Sequence, residues 1–173
     1  MQTGQMLQTI GALGLLTLLI LNANRAVLGN TRTVYTGQFA ESALLIAQSY
    51  ILDATTKDFD EKSLGGVAIK DPSKFSSLLG PDGTESGISS FDDVDDYHGY
   101  CDSVMTPTDS QTKYAVNCTV EYVSSTDPSV VSSPSTFFKR VTVSVTIPYA
   151  DPTLFQGEGT TPAVRLSSVV SYH

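Results

Sequence analysis

The densest group of reactive side chains in this sequence is FDDVDDYHGYCD, Phe91 to Asp102, which sets Asp92, Asp93, Asp95 and Asp96 just before His98 and Cys101. Carboxylates this close repel one another, and two arrangements relieve that. A hard cation such as calcium can share their oxygens, or a turn can form in which the aspartates accept hydrogen bonds from backbone amides. The run lacks the spacing of an EF-hand loop, so both arrangements stay open. The chain has two cysteines, Cys101 and Cys118. In an oxidising compartment such a pair reads as a disulfide that constrains the unfolded chain by roughly 3 kcal/mol. In a reducing one it reads as two unpaired buried thiols. No CxxC and no Cys/His set at zinc spacing accompanies them.

Catalysis needs a fuller constellation than this. There are two histidines, His98 and the terminal His173, and no GxSxG, glycine-rich phosphate loop or HExxH. Serine is plentiful but falls in loops and on polar strand positions, where it suits solvent. The expectation is a protein that is not an enzyme and needs no cofactor. Asn117-Cys118-Thr119 matches a glycosylation sequon, though inside a predicted strand.

Charge divides the chain. Of ten basic and eighteen acidic residues in 173, residues 1 to 53 hold only Arg25, Arg32, Glu41 and Asp53. The whole net charge of −8 therefore lies on the C-terminal part, which reads as a solvent-facing head. Such a field disfavours nucleic acid, whose phosphates demand Lys and Arg.

What positions the head is the N-terminal segment. MLQTIGALGLLTLLILNANR, Met6 to Arg25, is apolar and uncharged until its last residue. Met6 to Leu21 is short of the roughly 20 apolar residues of a comfortable spanning helix. Lysines and arginines usually remain on the cytoplasmic side of a span, yet none precedes this run. One simple explanation is a basic leader removed before Met1. Further on, Tyr35, Phe39, Ala43, Ile46 and Tyr50 recur at steps of three or four while Gln38, Glu41 and Gln48 share another side, the pattern of an amphipathic helix. The segment predicts one nearly continuous helix from about Gln5 to about Ala54, on the order of 75 Å long, with residues 1–25 apolar nearly all round and 26–54 carrying one greasy stripe.

Residues 55–173 read as a globular β-rich head. From Thr55 to Ser110 the sequence is irregular, with turns at Pro72, Pro81 and Asp82-Gly83. Then Val116, Cys118, Val120 and Tyr122, and Val141, Val143, Val145 and Ile147, alternate with polar residues, and AVRLSSVVSY forms a third run. Period two with β-branched residues predicts antiparallel strands with one face buried, and the helix stripe is the natural partner of that face. SSTDPSVVSSPS reads as a surface loop. The fold class is α+β: a long N-terminal helix with a protruding apolar half, packed on a C-terminal antiparallel sheet.

Taken together, these parts resemble the type IV pilin family, including bacterial pseudopilins. The likeness rests on the apolar start at Met1, the long helix with an amphipathic second half, and the C-terminal sheet with its cysteine pair. FDDVDDYHGYCD is also similar to a segment in minor pilins of the mannose-sensitive haemagglutinin pilus system. The resemblance implies export as a precursor held in inner-membrane lipid and removal of a leader before Met1, whose methylation stays open. It also implies handling by pilus assembly machinery and polymerisation into an extracellular helical filament, a homo-oligomer used in adhesion. The filament core would be packed by Met1, Gln5, Met6, Ile10, Leu13, Leu15, Leu16, Leu18, Leu19 and Ile20. The stripe Tyr35, Phe39, Ala43, Ile46 and Tyr50 would bind helix to sheet, and a Cys101–Cys118 disulfide would pin the head. The family's fifth residue is a glutamate that neutralises a neighbour's amino group. Gln5 can hydrogen-bond an ammonium but supplies no opposite charge. The family's mid-helix proline is absent, and its disulfide usually lies nearer the C-terminus. A main filament subunit, a minor pilin or secretion pseudopilin, and a singly anchored surface binding domain all stay in view.

Overall fold

The structure, a computed structural model, describes residues 2–83, 85–106, 109–147 and 163–172. It opens with helix α1, Gln2–Thr55, 54 residues and about 80 Å at 1.5 Å per residue. No proline interrupts the chain before Pro72, and leucine and alanine favour the helical backbone. Hydroxyls within it bond back to the preceding turn, as Thr17 Oγ1 does to the Leu13 carbonyl at 2.8 Å and Thr31 Oγ1 to that of Val27 at 2.9 Å. Thr9, Thr17 and Thr31 thus present no free hydroxyl donor, which suits a surface that leaves water.

Four strands follow: β1 Cys101–Thr106, β2 Asp109–Tyr122, β3 Phe138–Thr146 and β4 Ala163–Ser171. They form one antiparallel sheet in the order β1-β2-β3-β4. The three runs expected from alternation are the ends of β2 and β3 and nearly all of β4. β1 lies in the stretch expected to be irregular. It is an edge strand without a fully buried residue, so its pattern lacks the valine ladder that marks its neighbours.

The inner face of the sheet carries Val116, Cys118 and Val120 from β2 and Val141, Val143 and Val145 from β3, all at most 2% exposed. Against them lie Phe39, Ala43, Ala47, Tyr50 and Ala54 of α1, with Ile46 partly buried. The alanines let the helix backbone approach the valine ladder closely, and Phe39 stacks on Tyr114 with ring centres 6.0 Å apart. Polar clamps fasten the same junction: Tyr97 Oη donates to Asp53 Oδ2 and Tyr50 Oη to Asp102 Oδ2, both at 2.5 Å.

Two expectations are corrected. Tyr35 is not part of the helix-to-sheet contact; it is 51% exposed. The stripe that the sheet covers begins one turn later, at Phe39. Nor are the cysteines joined. Cys118 is a buried free thiol and Cys101 an exposed one. In the β1–β2 register Cys101 faces Asn117, so it shares the face of Asn117 and points away from the face of Cys118. Side chains leaving opposite faces of a sheet cannot be bridged without moving the backbone. Burial, the Cys101 thiol nearby and the Asp102 charge together push the Cys118 thiol up to about 12, which keeps it protonated and inert.

Candidate functional site

The largest unpartnered feature is the front of α1. Of the residues expected to form a filament core, Gln5, Met6, Ile10, Leu13, Leu15, Leu16, Leu18, Leu19 and Ile20 are all exposed. Met1 lies outside the described residues. Exposure of the large apolar side chains runs from 51% at Leu21 to 78% at Leu7, a residue the sequence reading passed over. It continues through Val27 and Leu28 to Val34. Because a helix displays its side chains in all directions, one covering element could not hide this surface; it needs neighbours on several sides. The helix is also long and apolar enough to cross a membrane.

The acidic segment is the second feature. The four aspartates do not converge on one point. Asp93 Oδ1 accepts from the amides of Asp95 at 2.7 Å and Asp96 at 3.3 Å, while Asp96 Oδ2 accepts from those of Asp92 at 3.0 Å and Asp93 at 3.2 Å. This is the amide-bonded turn that was one of the two expected arrangements, built around the short helical turn Asp95–Tyr97. Among the described residues, the carboxylates near enough to share an ion are instead Glu61, Asp92 and Asp93, or Glu85, Asp92 and Asp96, each set within 4.8 Å. Glu61 and Glu85 gave no sequence signal, since both come from other loops. Glu85 is raised to about 7 by loss of water contact, by a hydrogen bond to Asp96, and by the charges of Asp96 and Asp92. Asp93 is raised to about 9, first by burial, then by its hydrogen bond to Asp95 and the Asp95 and Asp96 charges.

Asp95 turns away from that group toward Lys139 on β3. The Lys139 ammonium lies 2.5 Å from Asp95 Oδ1 and 3.2 Å from Asp60 Oδ2, with no solvent exposure. It also donates to the Phe59 carbonyl at 2.6 Å. Asp60 caps the turn Glu61–Gly66. Burial works to raise Asp60, but the Lys139 charge and the amides of Ser76 and Lys62 outweigh it and hold the carboxyl below its ordinary range. Lys139 sits two residues before Val141 and so falls in phase with the buried valines. That phase was the sequence signal for an inward-pointing lysine.

His98 is half-buried, with Nδ1 2.7 Å from the Val120 carbonyl. His173 lies outside the described residues. The outer face of the sheet forms a shallow polar groove of about 750 Å³ lined by Asn117, Thr119, Thr142 and Ser144, with Arg140 and Arg165 among them. Arg140 there is already paired with Glu121 at 2.8 Å. No protein-family model matches the chain, and no curated protein and no solved structure matches it.

Proposed function

We propose that the chain is a structural subunit of an extracellular, type IV pilus-like filament, in which the apolar front of α1 is buried among the same segments of neighbouring copies. The observation that carries this is the apolar surface from Met6 to Leu28, exposed on every side. Uncovered apolar patches of this size mark protein or membrane contacts. Burying half a dozen large aliphatic side chains yields roughly 9 to 18 kcal/mol per subunit before the costs of ordering. A head-to-tail contact that does not close on itself generates a fibre. The acidic heads then face water, where their charge supports solubility and their surfaces meet adhesive targets. Before assembly the same segment rests in inner-membrane lipid, and assembly machinery extracts it.

A second reading is favoured by one observation, the capacity of α1 to cross a membrane: a minor pilin or pseudopilin that stays at the membrane, or a singly anchored surface domain. Electron microscopy of material sheared from cells separates the readings. Abundant filaments containing this chain are the expected outcome of the first; recovery only with the membrane fraction is that of the second.

A further inference from the structure

The head holds a lysine and two aspartates in a site that is dry and closed. Lys139 is fully buried, Asp60 is fully buried and Asp95 is 3% exposed. Aromatic rings form the walls: the Lys139 nitrogen lies 4.6 Å from the centre of the Phe59 ring and 5.2 Å from that of Tyr122. Phe75 packs on Phe59 from outside, with ring centres 4.9 Å apart.

The two carboxylates are held differently. Asp60 is saturated with donors: the amides of Ser76 and Lys62, the Ser76 hydroxyl and the Tyr122 phenol. It is an anion by construction and a poor electrophile. Asp95 receives Lys139 at the shorter distance, and the Asp93 carboxyl lies beside it, with Oδ1 2.7 Å from the Asp95 amide. An amine and a carboxyl thus meet, with a second carboxyl that burial pushes upward close by. An ion pair in such a place must offset the lost hydration of both charges. An amide removes both charges at once.

We infer that Lys139 and Asp95 are joined by an intramolecular isopeptide bond that the folded head forms by itself. A proton passes from the Lys139 ammonium to the Asp95 carboxylate, leaving a neutral amine beside a neutral acid. Nζ attacks Cγ of Asp95 and a C–N bond forms. Asp93 gives its proton to the departing hydroxyl and takes one from the nitrogen. The Cγ–O bond breaks and water leaves, so Asp93 ends as it began and no other reactant is consumed. Asp60 and the Phe59 carbonyl orient the amine by accepting its hydrogens. Fixed contact at this range supplies the very high effective concentration that lets amide formation run forward without activation. The bond ties the loop between α1 and β1 to the middle of the sheet, the anchoring that the separate cysteines do not give. It concerns the head alone and stands apart from the filament reading.

Mass spectrometry of the full-length chain, purified in detergent and then denatured, tests this. The expected mass is that of the sequence less one water. Trypsin should release a branched species in which the peptide Phe75–Lys113 is attached to Tyr114–Arg140, uncut after Lys139. Asp95→Ala and Lys139→Arg should each restore the full mass. Asp93→Asn should leave a mixture of linked and unlinked chains, which a merely structural role for Asp93 would not produce. Wild-type chain with the full, unlinked mass, shown folded by its near-ultraviolet circular dichroism, overturns the inference. So does a branch to Asp58–Lys62, which would place the bond on Asp60.

Discussion

A carboxyl group that keeps its proton at neutral pH leaves a thermodynamic trace, and Asp93 is the case here. Its ordinary value is 3.8 and burial with the Asp95 and Asp96 carboxyls raises it to about 9. Between those values the unfolded chain has released a proton that the folded chain still holds, so stability falls as pH rises through this window and levels off above it. Asp93→Asn keeps an acceptor for the Asp95 and Asp96 amides and has no proton to release in this window. Urea denaturation between pH 5 and pH 8 should show a slope for the wild type that is flattened in this variant. An undiminished slope would assign the proton elsewhere. Such residue-level detail was half legible in the sequence. The run of aspartates offered a turn bonded to its own amides as one of two arrangements, because short acidic side chains do this locally. Its split, with Asp95 bound to Lys139, depended on a contact 44 positions away. The cysteine pair failed for the same reason: spacing cannot say which face a residue takes when the register of its strand is set by a partner.

At the scale of elements, α1 and the sheet meet through small residues. Ala43, Ala47 and Ala54 have no exposed surface, and β2 and β3 present valines at the same level. There is no room for a larger side chain, so Ala47→Leu should cost about 1 to 3 kcal/mol through overpacking. Tyr35→Ala, one turn outside the contact, should change stability by no more than about 0.5 kcal/mol. Thermal denaturation followed by circular dichroism compares the two. Equal losses would mean that the head covers more of the helix than Phe39 onward. Periodicity made the helix and the two central strands readable, since a 3.6-residue stripe and a two-residue alternation each persist over long runs. It overran at Tyr35 because an amphipathic stripe can continue past the surface that covers it. It missed Ala47 and Ala54, whose small side chains contribute little to an apolar pattern but fit the closest approach. β1 escaped because an edge strand buries neither face fully and keeps no alternation strong enough to see.

For the molecule as a whole, the question is what covers the front of α1. The head reaches only its second half, and a helix of about 80 Å extends well beyond a head of about 120 residues, whose radius of gyration by the usual scaling is about 14 Å. An uncovered cylinder of leucine and isoleucine is compatible with lipid for a time and with copies of itself for good. Leu16, 53% exposed in the single chain, would lie inside such a bundle, where an unpaired carboxylate is strongly unfavourable. Sedimentation of full-length chain as detergent is withdrawn, run beside Leu16→Asp, is the most direct measurement. The account predicts that the wild type grows into long filaments while Leu16→Asp does not, its head keeping the wild-type circular dichroism. Wild-type chains that stay single in detergent-free buffer, with the front of the helix folded back on their own sheet, would contradict it.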